Sequence, residues 1–341
     1  MTTSDHLSIS AAELGSLWMG YENKTMNMRF LEHYIEKAEN PEAKAILKSY
    51  YKKESKHVET LTNIFQEEGA VLPVGYTEKD VEPGGDRLFD EMFDIMHLRL
   101  ITIINMGLFT VHLTMAYRDD LRKLYQRFTA DAQDAYDQTT DFLLKHAAIP
   151  RPPYITMPKD VEFAKSKQYM TGFNLFSHKR SLNAVEIGNL YLSLEANTIG
   201  MTLMTGFAQS ARNKDAAKIF FDGKDLAKQI VTKLSDLLRQ SDVHTPSMWA
   251  GIATDSTNAP FSDKMMMYQT SVFANFGLTS NAIGSAFSLR SDLPAKLAKT
   301  ATDIFSFAKN SGQVMVENGW LEEPPQAEDR TQLAKGQSNK Q

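Results

Sequence analysis

The sequence runs through the same pattern twice, and that duplication limits the chain to two copies of one domain. Ala11-Ala12-Glu13-Leu14-Gly15 recurs as Ala184-Val185-Glu186-Ile187-Gly188, a shift of 186 − 13 = 173. The same shift carries Leu17 onto Leu190, Glu22 onto Glu195, Thr25 onto Thr198 and Met28 onto Met201, and later Pro73 onto Pro246. In the second part of each copy the shift becomes 172: Arg118-Asp119-Asp120-Leu121 meets Arg290-Ser291-Asp292-Leu293, and Pro152-Pro153 meets Pro324-Pro325. A repeat of this length is a duplicated domain and not the short unit of a solenoid. It is also an internal control, because positions that must pack stay apolar in both copies while positions that do chemistry need not survive in both.

With 341 residues, each copy is long enough to bury its own core. The net charge of −5 offers no basic surface for nucleic acid. The absence of cysteine excludes disulfides, thiolate ligands and a cysteine nucleophile, and fits a reducing interior. The start, Met1-Thr2-Thr3-Ser4-Asp5-His6, lacks the basic end and apolar run of a signal peptide, so the expected location is cytoplasmic. The apolar stretch from Leu98 to Met115 is broken by Arg99, Asn105 and His112. It reads as a buried core helix and not a membrane span.

Helical periodicity dominates the chain. Leu14, Leu17, Trp18, Tyr21, Thr25, Met28, Leu31 and Ile35 mark a first helix up to Asn40-Pro41. A second helix carries Leu47, Tyr50, Tyr51, Glu54, His57, Val58, Leu61 and Phe65, and Glu68-Gly69 caps it. After a long Pro- and Gly-rich connection, a third helix carries Phe93, His97, Leu100, Ile104 and Leu108. A fourth carries Leu121, Tyr125, Phe128, Ala132, Ala135 and Phe142, and Pro150 to Pro153 stop it. Short, long and short connections between amphipathic helices predict an all-α chain of two tandem four-helix bundles, ferritin-like in connectivity. The expected boundaries are 1–155 for the first bundle, 156–180 for a linker packed on it, 181–321 for the second bundle and 322–341 for a disordered polar tail.

Candidate chemistry lies on the inward faces of the first copy. Glu54-Ser55-Lys56-His57 is a Glu-x-x-His, whose i, i+3 spacing presents a carboxylate and an imidazole to one metal in carboxylate-bridged iron and manganese bundles. The second copy has Ala227 and Ile230 at those positions. Glu22 falls level with His57 across the first turn, and its counterpart Glu195 persists. His97 lies on the apolar stripe of the third helix and becomes Gln269. Glu22, Glu54, His57 and His97 therefore form the candidate metal set, with iron or manganese as the expected cofactor and zinc as an option. The bland readings are an internal Glu–His hydrogen-bonded pair, a solvent-facing Glu22 and a core His97. The fourth helix has no second Glu-x-x-His. Asp134, Asp137 and Asp141 mostly fall off its apolar line and are expected to be solvated; if one reaches inward it is Asp137 or Asp141, and His112 is expected to be core.

Pro260-Phe261-Ser262-Asp263-Lys264-Met265-Met266-Met267, Leu289-Arg290-Ser291-Asp292-Leu293, and the stretch from Glu317-Asn318-Gly319-Trp320 to Arg330 resemble a family of unknown function from spore-forming bacilli. Arg151-Pro152-Pro153-Tyr154-Ile155 and Pro73-Val74-Gly75-Tyr76-Thr77 fit its first half. The resemblance implies tandem ferritin-like, spore-coat-like proteins that bind metal. It also implies histidines in the second copy where this chain has Ile230 and Gln269, so only the first bundle would keep a site. The leading expectation is thus a metal-binding bundle open to oxygen or peroxide chemistry, with no nucleic-acid or membrane partner and a second copy of the chain as a candidate partner. The alternative is a non-catalytic structural or interaction protein of a spore coat or stress response with a vestigial polar core. A third reading, a small-ligand carrier, requires a cavity in the bundle interior lined by Phe, Met and Tyr.

Overall fold

A computed structural model describes residues 7–149, 151–173, 179–245 and 251–334. The expectations placed on Met1 to His6, Pro150, Pro246 and the 335–341 part of the tail lie outside the described residues. Among the described residues there is no β-strand beyond isolated bridges. The first copy folds as α1 (Ala11–Lys37), α2 (Pro41–Glu67), α3 (Glu91–Met115) and α4 (Asp119–Lys145). The second folds as α5 (Ala184–Ser210), α6 (Lys214–Arg239), α7 (Asp263–Phe287) and α8 (Asp292–Glu317), followed by the short α9 (Arg330–Ala334).

The repeated acidic residues are structural clamps. Ser10 and Glu13 form a capping box at the start of α1, and Asn183 and Glu186 do the same for α5. The other oxygen of Glu13 accepts from the backbone N–H groups of Tyr117 and Arg118 at 2.8 and 2.9 Å, tying the α3–α4 turn to the start of α1. Glu186 accepts from Leu289 and Arg290 at 3.2 and 3.1 Å in the second copy. At the opposite end, Glu91 accepts from Glu39 and Asn40, and Asp263 accepts from Arg212 and Asn213. These carboxylates satisfy backbone donors that a turn would otherwise leave unpaired.

The clamps fix the helix directions. The start of α3 meets the end of α1, and the end of α3 meets the start of α1, so these two are antiparallel. Residues 68–90 therefore cross the length of the bundle, and α1 and α4 run one way while α2 and α3 run the other. Three pairs set the α2–α4 register: Glu42 with Lys145, His57 with Asp131 and Glu68 with Arg118. Each step down α2 is matched by a step back along α4.

The two bundles share one core. Phe30 of α1 packs against Phe207 of α5 and Phe261, and the main cluster of buried apolar residues draws on both copies. The long connections pair reciprocally across this contact. Val81 bridges Phe261, and Phe89 bridges Ala253, so each bridge maps onto the other under the repeat shift. Glu82 N donates to Pro260 O at 2.8 Å, and Thr254 N donates to Leu88 O at 2.8 Å. The two copies are thus related by a local pseudo-two-fold axis. Consequently α1 is buried over most of its circumference, from Leu17 through Tyr34, whereas α2 buries one stripe.

Helix α3 is long and apolar enough by composition to cross a membrane, yet half of that window is buried inside the molecule. There His97, Arg99 and Asn105 are all hydrogen-bonded. The linker departs from expectation. Met170 and Gly172 bond to Ser291, and Arg180 bonds to Glu186 and Tyr169, so these residues meet the second bundle and not the first. The tail is anchored at its root. Glu322 accepts from Val74 N and Gly75 N of the first copy, both at 2.8 Å, and pairs with Lys264.

Removing a clamp strands two backbone donors and a helix cap. Glu13→Ala is expected to cost about 2 kcal/mol of unfolding free energy, and Glu186→Ala a similar amount, measured by urea denaturation.

Candidate functional site

Glu54 is fully buried on α2, and its carboxylate is already neutralised. Lys24 of α1, also fully buried, places Nζ 2.6 Å from Glu54 Oε1. The same ammonium lies over the rings of Phe109 and Phe128, 4.4 and 4.5 Å from their centroids, so two aromatic faces replace the water it has lost. Asn27 Nδ2 reaches the other oxygen, Oε2, at 3.4 Å. Burial works against charge on both partners. It pushes Lys24 below the usual lysine range, but at Glu54 the pull of Lys24 and His57 prevails and holds the carboxyl below its usual value.

His57 continues the chain of contacts. Its Nδ1 lies 3.5 Å from Glu54 Oε1, and its Nε2 is 2.9 Å from Asp131 Oδ2 on α4. Lys53 closes the outer end against Asp131 at 3.2 Å and against Asp134. The Tyr50 hydroxyl accepts from Asn105 Nδ2 at 3.2 Å beside the Glu54 carboxylate. The result is a row of polar contacts, Lys24–Glu54–His57–Asp131–Lys53, that runs from the bundle centre to its edge.

The structure brings Glu54 and His57 together and puts the other two expected ligands elsewhere. Glu22, level with His57 as the sequence implies, points across the bundle contact to Tyr268 on α7 at 3.5 Å. Burial, together with the nearby Glu322, raises its pKa to about 7 against the opposing effect of Lys264. Its counterpart Glu195 does the equivalent thing from α5, pairing with Arg99 of α3 at 2.6 Å. The persistence of this glutamate in both copies thus comes from the contact between bundles. His97 is fully buried at the pseudo-axis. Gln269 Nε2 donates to its Nε2 at 3.3 Å, and its Nδ1 hydrogen-bonds Tyr34 Oη at 2.7 Å. Burial lowers its pKa to about 3, which keeps the ring neutral.

A metal centre of Glu22, Glu54, His57 and His97 therefore does not fit these residues as they stand. Among the described residues no group of three or more His, Asp or Glu side chains is arranged to hold a metal ion. The position beside Glu54 that a cation would take is filled by the Lys24 ammonium. Asp137 and Asp141 are exposed; Asp131, half-buried on the same helix, is the carboxylate that reaches inward. The register of α2 against α4, readable from the helix ends, would have pointed to it. His112 is core, as expected, packed edge-on to Tyr125.

Two outcomes follow from this geometry. Lys24→Met leaves Glu54 buried and unpaired and is expected to cost about 3–5 kcal/mol, whereas Lys24→Met/Glu54→Leu recovers most of that loss in urea denaturation. The raised pKa of Glu22 means that the folded state holds a proton the unfolded state releases above its usual carboxyl pKa. Its contribution to stability is full below pH 4.5 and is lost as pH rises through about 7. Glu22→Gln should flatten that decline and stabilise the protein at pH 8 by about 2 kcal/mol, read from Tm and denaturation curves across pH 5 to 8.

No curated protein matches the chain. The solved structure of a candidate spore coat protein from Bacillus halodurans is similar at 18% identity with a TM-score of 0.41, covering 44% of this chain and 98% of that one. A family model described as a protein of unknown function, DUF3231, matches residues 2–161 and again residues 170–333. The two matched segments coincide with the two bundles, and the chain belongs to the DUF3231 family in two tandem copies.

Proposed function

We propose that the chain is a non-catalytic structural or interaction protein whose first bundle is held by an internal charge row in place of a metal centre. The observation that carries this reading is the Lys24–Glu54 pair, in which a lysine of the chain itself supplies the cation that the central carboxylate needs. The other polar core groups support it, since Glu22, Glu195 and His97 are all engaged in the contact between the two copies. A buried ion pair adds little net stability over apolar residues, but it penalises packings that separate its partners. Such a device suits a protein whose task is to hold one shape. A spore-coat setting, which the sequence resemblance implies, belongs to the same proposal.

Binding of iron, manganese or zinc would require Lys24 to leave Glu54 and further ligands to be recruited. The deciding experiment is elemental analysis of protein purified without added metal or chelator, and again after anaerobic loading with iron(II), beside the Glu54→Ala/His57→Ala variant. The expected result is the same substoichiometric metal content in both. Near-stoichiometric metal that vanishes in the variant would overturn the proposal and restore a first-bundle centre.

A further inference from the structure

The second bundle differs from the first most at the place where the first holds its charge row. Asn27, Tyr50 and Asn105 are replaced by Gly200, Gly223 and Gly277, and Glu54 by Ala227. All four residues line one cavity of about 70 Å³ between α5, α6, α7 and α8. Ile230, the counterpart of His57, forms part of its wall, and no charged side chain lines it. Glycine is the least favourable ordinary residue in a helix interior, and three of them face one another here.

The lost volume is only partly refilled. Where the first bundle has Ala132 and Ala135, the second has Ile304 and Phe307, whose side chains move into the space. A Cβ on Gly223 would lie 2.9 Å from Phe307 Cζ, and one on Gly277 would lie 3.3 Å from Ile304 Cδ1, so these two glycines admit the incoming side chains. Gly200 is looser, with the nearest atom, Phe273 Cδ2, at 3.7 Å. The space beside Ala227 and Gly200 stays open. Its mouth is flanked by the half-exposed rings of Phe273, Phe276 and Phe307. Its lining is mainly apolar, with Asn197 and Thr270 as the polar members, and space of this kind takes up small apolar molecules. The volume is several times what one water needs but less than a whole benzene-sized void, so a ring would enter with one edge at the mouth.

We infer that the second bundle is a binding site for a small neutral apolar molecule, one aromatic ring or a short aliphatic chain, seated between Ala227, Gly200 and Phe307. The site is independent of the structural role proposed above, because it uses none of the charge row and draws only Leu100 of α3 from the first copy. A carboxylate on the ligand would find no cation in the wall, so uncharged ligands are selected.

Toluene is the probe, with benzoate as its charged control. At a toluene concentration tenfold above its Kd, Tm of the full chain is expected to rise by about 2 °C, and the methyl resonances of Ile230 and Ile304 should shift in carbon–proton spectra. Benzoate should do neither. Ala227→Leu fills the cavity, so it should keep or raise Tm without ligand and lose both responses. Toluene that leaves the Ile230 and Ile304 methyls unmoved, an unchanged response in Ala227→Leu, or equal binding of benzoate would each overturn the assignment. Should that variant fail to fold, the methyl map of the unaltered chain decides alone.

Discussion

A single buried contact, Lys24 to Glu54, sets the character of the first bundle. Two charges without water are tolerated only if each finds the other, and the surrounding residues are arranged around that requirement. Phe109 and Phe128 present ring faces to the ammonium, Asn27 takes the second carboxylate oxygen, and His57 lies between Glu54 and Asp131. The pair also accounts for why Glu-x-x-His stands here without its usual company. Glu54 needs a positive neighbour, and one turn of α1 provides it.

The duplicated chain separates what the fold needs from what one copy has acquired. Glu13 and Glu186 clamp the same turn, and Glu91 and Asp263 the same opposite turn, so these acids belong to the architecture. The charge row exists in one copy, and in the other the same volume is apolar and incompletely filled. Both solutions keep the long helices of their copy in register, which shows that the centre of this bundle can be either charged or apolar provided the ends are clamped.

The fold was legible in the sequence because helix ends are written in caps, prolines and repeat matches. The level of Glu22 against His57 was legible too, since it follows from rise per residue along antiparallel helices. What could not be read was the direction in which each residue of α1 points. An amphipathic stripe marks the core face only when the other face meets water. Helix α1 is enclosed by its own bundle on one side and the second bundle on the other, so its pattern carries no such mark. A stripe reading of α1 therefore places Glu22 in the bundle interior that Lys24 occupies. Asp131 is hidden for a different reason: distance from an apolar stripe does not single it out on α4, and the α2–α4 register is the stronger constraint.

The reciprocal loop pairing has one more consequence. Two separate chains joined by a true two-fold axis must place identical residues against each other at that axis, where histidine would have to face histidine. Here one chain supplies both sides, so the symmetry is free to break. His97 on α3 meets Gln269 on α7, and an imidazole that can offer only one acceptor finds an amide that can donate to it. Covalent linkage has turned a self-complementary contact into one between unlike surfaces, each side able to change without forcing the same change on the other.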